Sequence, residues 1–293
     1  MLNRRQFTQR LAATAASIAA ANHLLAESPA ARPFRLSVML WTLRPKYTTE
    51  QAIDLVADAG YTGFELVDED KHRTAADVAR VRTRMAKLGI VCDAISGINA
   101  GFAEPDGGER LANELPPRMD QAERLGCRRI ILLSGKRIPG IPRDTQHAIC
   151  VQNLKRAGEL AANRQFELLL EPIDALENPP IYLTRVAEAF AIARTVNLPS
   201  VSVLYDFYHE AQGIGGDGIT PKLIRELRGN VDHTGLVHVA NVPGRSSPNN
   251  GKINYLDVYG ALRKSGYRGW VAMEFLPVGN AEMELRQAAA QTS

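Results

Sequence analysis

The chain has 293 residues, of which 45% are hydrophobic, 23% charged and 6% aromatic. That composition excludes a disordered or collagen-like chain and supplies enough apolar surface for a sizeable core. Lysine and arginine total 35 against 32 aspartate and glutamate, a net charge of +3 that is too balanced and dispersed for a nucleic-acid or anionic-membrane surface. Three cysteines, Cys92, Cys127 and Cys150, share no metal-type spacing and cannot all pair with one another, so they read as buried or incidental thiols.

In chain order, Arg4-Arg5-Gln6-Phe7 is followed by an alanine-rich, weakly apolar run and then small residues around 26–31. Residues 1–30 therefore resemble a twin-arginine export signal, which implies a periplasmic or otherwise exported protein that folds, with any cofactor, before transport. Beyond residue 30 no apolar run is long enough to predict a membrane span.

From there, β-rich apolar runs and helical periodicity alternate. Strands are predicted at 35–41, 63–67, 90–95, 129–134, 167–172, 201–206, 235–240 and 270–275. Helices are predicted at 49–59, 75–88, 111–125, 146–163, 182–196, 221–227, 255–264 and 281–290, with Gly60, Gly89, Gly126 and Gly266 closing four of them in the left-handed conformation. Eight such units predict a single (β/α)8 TIM barrel over residues 31–293. An open doubly wound sheet fits less well, because the first turn, Thr42-Leu43-Arg44-Pro45, lacks the glycines of a dinucleotide loop. The irregular stretches 96–110, 137–143, 212–220 and 243–254 all follow strands, on the face where barrel enzymes carry their chemistry.

Strands five to eight each end in a potential cation ligand: Glu171, Asp206, His238 and Glu274, separated by 35, 32 and 36 residues. In a closed parallel barrel one unit of spacing per ligand brings all four to one rim. Facing carboxylates repel unless a proton or a metal neutralises them. Three carboxylates and one imidazole form a mainly hard donor set, suited to one divalent ion, Mn²⁺ or Mg²⁺ first and Co²⁺ or Zn²⁺ after them. An ion that polarises a carbonyl acidifies the neighbouring C–H. Glu171 and Glu274, at the two ends of the series, are then the expected general acid and base, exchanging roles with the direction of reaction.

Around these positions, Glu171-Pro172-Ile173, Asp206-Phe207-Tyr208-His209, Val242-Pro243-Gly244-Arg245 and Glu274 resemble the hydroxypyruvate isomerase family of the xylose-isomerase-like barrels. Gly108-Glu109-Arg110, Leu125-Gly126-Cys127, Gly135-Lys136-Arg137, Asn153-Leu154 and Gly251-Lys252-Ile253-Asn254 extend the resemblance over residues 34–275. It implies metal ligation by Glu171, Asp206, His238 and Glu274 and proton transfer by the two glutamates. It also implies substrate contacts from His209, Arg245 and Glu65, with Glu177 a weaker candidate and burial as a paired structural glutamate the open alternative for Glu65. The family often has glutamine where this chain has His238, a position at which the ketose 3-epimerase branch has histidine. The stretches 96–101 and 246–248, together with Lys252, also depart from the family pattern, and all of these lie in expected substrate loops.

The expected activity is metal-dependent interconversion of hydroxypyruvate and tartronate semialdehyde, or of a close hydroxy-carbonyl or sugar analogue, through an enediolate. Ketose 3-epimerisation and a keto-sugar or keto-glycoside lyase or dehydratase reaction are the alternatives, and a non-catalytic sugar binder the alternative outside enzymes. The sequence predicts a small-molecule substrate, no nucleic-acid partner and no stable membrane association, and leaves a homo-oligomer open. An endonuclease role would call for a histidine-rich multi-metal cluster and a basic surface, and the chain has only 6 histidines.

Overall fold

The computed structural model describes residues 33–44, 46–68 and 73–292. The predicted export signal, residues 1–30, lies outside the described residues.

Eight strands follow one another around a closed, all-parallel barrel: β1 Arg35–Met39, β2 Gly63–Leu66, β3 Val91–Ile95, β4 Arg129–Leu133, β5 Glu167–Glu171, β6 Val201–Asp206, β7 Thr234–Val239 and β8 Trp270–Met273. β8 pairs with β1, so the sheet has no free edge. The helices are α1 Thr49–Asp58, α2 Ala75–Leu88, α3 Gly107–Arg124, α4 Arg143–Asn163, α5 Val186–Val196, α6 Phe207–Ile214, α7 Ile219–Arg228, α8 Tyr255–Lys264 and α9 Ala281–Ala290. None of the described helices is long and apolar enough to cross a membrane.

Local chemistry explains where the elements begin and end. Thr48 and Thr74 open α1 and α2 with reciprocal capping boxes, closed by Gln51 and Asp77. Gly89 ends α2 at φ 66°, and the other three glycines predicted to close helices also take positive φ. Side chains of the strands divide into two apolar groups, as the pleat requires. Met39, Ala94, Ile131, Leu169, Leu204, Leu236, Trp270 and Ala272 form one cluster, and the strands' other faces join the helices in a second and larger one. Gly63 admits Trp270 to the first: a Cβ there would lie 2.4 Å from the indole ring.

Three sequence expectations are corrected. The first strand stops at Met39 rather than residue 41, because residues 40–43 turn into a 3₁₀ helix whose Thr42 hydroxyl bonds the Met39 carbonyl at 2.9 Å. That turn swings Trp41 over the barrel mouth. Helix α3 starts four residues early, at Gly107, so the loop after β3 is shorter than predicted. The stretch 212–220 is mostly helical: α6 begins directly after β6 because the Asp206 carboxylate caps it, accepting from the Tyr208 and His209 amides at 2.7 and 3.3 Å.

Candidate active site

The strand register carries the four expected ring residues to one level. Asp206 ends β6 directly opposite His238 of β7, while Glu171 ends β5 and Glu274 follows β8. All four are buried, and one ligand atom from each lies within 4.8 Å of the others.

His238 is completely buried at the centre of this group. Its Nδ1 lies 2.7 Å from Glu274 Oε2 and 3.7 Å from Glu171 Oε1, and its Nε2 lies 2.8 Å from Glu65 Oε2. Glu65 is therefore placed as a buried, paired glutamate, the alternative to a substrate contact. Fully buried beneath His238, it holds the imidazole instead of facing a substrate. A β-bulge opposite it, where Glu65 pairs with Ala94 and Asp93 is the extra residue, sets it at that depth.

Arg245, also buried, reaches across the ring. It donates to Glu274 Oε2 at 2.7 Å, to Asp206 Oδ2 at 3.2 Å, to Glu177 Oε2 at 3.1 Å and to the Glu274 carbonyl at 3.0 Å. The guanidinium centre sits 5.4 Å from the Trp41 ring and 4.8 Å from the Tyr208 ring. Its backbone has φ 54°, a left-handed conformation costly for a residue with a side chain. Asn241 holds the loop in place: its amide donates to the Pro248 and Ile253 carbonyls, and its oxygen accepts from the Val242 and Ile253 amides.

His209, in the first turn of α6, joins the site through Asp174, whose Oδ2 lies 2.7 Å from His209 Nδ1. His209 Nε2 lies 3.6 Å from Asp206 Oδ2. Trp41, Asp174 and Asn241 were not anticipated from the sequence. Trp41 donates from Nε1 to Glu274 Oε1 at 2.7 Å, so every hydrogen-bonding partner of the Glu274 carboxylate is a donor.

These surroundings push the two glutamates apart. Burial, reinforced by the Glu274 charge, raises the Glu171 carboxyl to about 7. Burial also works against ionisation of Glu274, but the Arg245 guanidinium and the His238 imidazole outweigh it and hold that carboxyl well below its ordinary value. Burial lowers the basicity of His238, and the charges of Glu65 and Glu274 more than reverse this, raising it well above its ordinary value.

The donors fit a divalent cation. Ligand atoms spaced 2.7 and 3.7 Å around His238 Nδ1, buried together with a surplus of carboxylates, suit one shared ion. With the Nε2 proton given to Glu65, the Nδ1 lone pair faces the ring, the carboxylate–histidine–metal arrangement that fixes a ligand's tautomer. Glu65→Leu should therefore weaken Mn²⁺ binding about 10- to 100-fold, read by calorimetric titration. Glu65→Gln, which keeps an acceptor, should lose less, and equal losses in both would detach Glu65 from this role.

His209 is a second charge store. Burial lowers its basicity, but the Asp206 charge and the Asp174 hydrogen bond raise its pKa from 6.5 to about 9. A raised histidine contributes stability that is complete below the unfolded value of 6.5 and disappears as pH climbs through about 9. The shift corresponds to on the order of 3 kcal/mol. Metal-free protein should lose melting temperature across that window, and His209→Gln should flatten the loss. An unchanged pH profile in the variant would refute the assignment.

A closed parallel barrel with carboxylates and a histidine clustered at the C-terminal ends of its last four strands defines a TIM-barrel protein with a candidate metal site at its catalytic face. The chain belongs to the xylose isomerase-like TIM barrel family, which it matches over residues 53–291. It is 27% identical over 230 residues to the 2-oxo-tetronate isomerase of Pectobacterium atrosepticum, covering 77% of this chain and 86% of that one. It is 26% identical over 259 residues to the hydroxypyruvate isomerase of Escherichia coli, covering 86% and 97%. Among solved structures, a family 2 AP endonuclease from Brucella melitensis superposes with a TM-score of 0.76 at 24% identity, covering 87% and 98%, which shows the common fold. The named relatives support a function of the sugar-isomerase type.

Proposed function

We propose that the protein is a metal-dependent isomerase that interconverts hydroxypyruvate and tartronate semialdehyde, or a close 2-oxo hydroxy acid. The single observation that carries this reading is the buried ring of Glu171, Asp206, His238 and Glu274 with a guanidinium beside it. A divalent ion held by those four residues, Mn²⁺ or Mg²⁺ by the hardness of the donors and Co²⁺ or Zn²⁺ after them, supplies Lewis acidity toward the substrate carbonyl.

The chain's own residues do the rest. Glu274, held ionised, takes a proton from the hydroxymethyl carbon to give the enediolate. Glu171, whose carboxyl pKa is raised by burial and the Glu274 charge, delivers a proton to the adjacent carbon. The hydroxyl proton passes to the former carbonyl oxygen, so the step needs no oxidant or reductant. In the reverse direction the glutamates exchange roles. Arg245 orients the substrate carboxylate and His209, its basicity raised by Asp206 and Asp174, donates to a substrate oxygen.

Residues 1–30 are read as a twin-arginine signal that exports the folded enzyme to the periplasm, and residues 31–293 as its one catalytic domain.

The test is proton NMR with Mg²⁺ and hydroxypyruvate in D₂O. Appearance of an aldehyde signal, or metal-dependent loss of the hydroxymethyl C–H signal, supports the reading. If neither occurs in metal-loaded protein, hydroxypyruvate is not the substrate. His238 as the imidazole member of the ring favours ketose 3-epimerisation as the second reading. Deuterium entering C3 of a ketose without aldehyde formation would select it.

A further inference from the structure

A second group of potential ligands stands beside the ring of four. Asp174, Glu177 and His209 each place one donor atom within 4.8 Å of the others. Within the group Asp174 already has its partners: its Oδ2 lies 2.7 Å from His209 Nδ1, and its Oδ1 accepts from the Leu176 and Glu177 amides at 2.9 and 3.0 Å. With the Nδ1 proton given to Asp174, the free nitrogen of His209 is Nε2, which lies 3.6 Å from Asp206 Oδ2. Two donors of one ion bound at about 2.2 Å stand roughly 3.1 to 3.6 Å apart. Asp206 and His209 therefore already have the spacing of two ligands to one cation.

The position between them is filled by a side chain. Arg245 directs one terminal nitrogen to Asp206 Oδ2 at 3.2 Å and Glu274 Oε2 at 2.7 Å, and the same nitrogen comes to 3.5 Å from His209 Nε2. Its other terminal nitrogen donates to Glu177 Oε2 at 3.1 Å. One guanidinium thus meets His209, Glu177 and Asp206, the donors that a second ion would need, and Asp206 would be shared with the first. The arginine is fixed there. It is 6% exposed, its Nε donates to the Glu274 carbonyl at 3.0 Å, and its left-handed backbone sits in the loop that Asn241 holds. A guanidinium also keeps its charge at any pH the fold survives.

We infer that Arg245 occupies the place of a second divalent cation and so limits this site to one ion. The inference rests on reading Glu171, Asp206, His238 and Glu274 as a metal site. A divalent ion brought beside the guanidinium meets a like charge at short range in a buried setting. Without the arginine, Glu177, Asp206 and His209 would face one another with no cation among them, and an imidazole with two carboxylates suits a hard or borderline divalent ion. The exchange of ion for arginine has a chemical consequence. A second metal would offer an open coordination position, whereas the guanidinium offers a planar fork of donors that matches a carboxylate. The single-ion site and the preference for an acid then have one structural cause.

The test counts ions on the full chain. Mn²⁺ is titrated into metal-free protein while electron paramagnetic resonance follows the free ion and calorimetry the heat. The expected result is one bound ion in the unaltered chain and two in Arg245→Gly, in which glycine also accepts the left-handed backbone. Because Asp206 would join the two ions, the second should broaden the resonance of the first by spin coupling. Arg245→Lys, which keeps a charge, should stay at one ion, and adding Glu177→Gln to Arg245→Gly should remove the second. Should the glycine variant lose the circular dichroism of the unaltered chain, Arg245→Asn, short, neutral and tolerant of positive φ, carries the same expectation. Two ions in the unaltered chain, a single ion in the folded glycine or asparagine variant, or a second ion that survives Glu177→Gln would overturn the inference. No ion in the unaltered chain would overturn the reading of the ring itself, and the inference with it.

Discussion

Glu274→Gln should lower kcat/KM about a thousandfold or more and weaken metal binding, while the barrel remains folded. The carboxylate is held by three donors: Trp41 Nε1 on Oε1, and His238 Nδ1 and Arg245 on Oε2, each at 2.7 Å. An amide cannot meet that set. Whichever way it is turned, its NH₂ faces a donor, and one buried N–H loses its acceptor. The charge that balances Arg245 and His238 is also gone, and with it the proposed base. Steady-state kinetics, metal titration and circular dichroism on one preparation would separate these effects. Retained fold with near-wild-type turnover would remove Glu274 from proton transfer. Glu171→Gln should be comparably slow, but it removes a carboxyl that burial and the Glu274 charge already raise to about 7, so it should lower the melting temperature less than Glu274→Gln does.

The ring was legible in the sequence because it follows the repeat. Glu171, Asp206, His238 and Glu274 each sit where a β-rich run ends, and a closed parallel barrel converts that one-dimensional spacing into proximity. The level of Glu65 was not legible. Its strand was evident, but the bulge that inserts Asp93 opposite Phe64 and Glu65 depends on how two strands pair, and a single strand does not encode that. Trp41 and Asp174 were missed for another reason. Both lie past their strands in turns, where no periodicity marks which way a side chain points. Helix α6 escaped notice because its start signal, the Asp206 cap, is also a ring residue, and read as a candidate cation ligand it did not register as a cap.

Arg245→Met should raise KM for a 2-oxo hydroxy acid about 100-fold, the loss of a charge-assisted pair of hydrogen bonds, and change KM for a neutral ketose far less. The difference follows from what surrounds the guanidinium. It lies against Trp41 and Tyr208 and stands among Glu177, Asp206 and Glu274, so under the proposed function it is a cation that an incoming carboxylate would meet beside the ring. A lysine supplies charge without the planar fork, so Arg245→Lys should fall between the two. Removing the cation has a second consequence of opposite sign. Asp206 and Glu274 lose their counter-charge, so the metal-free variant should melt lower, while its affinity for Mn²⁺ should rise because one repelling charge beside the ion is gone. Weakened substrate binding together with strengthened metal binding distinguishes a substrate-orienting arginine from a structural one, for which both affinities would fall together. If KM for the acid and for the ketose rose equally, Arg245 would be a general support of the site rather than the group that selects a carboxylate.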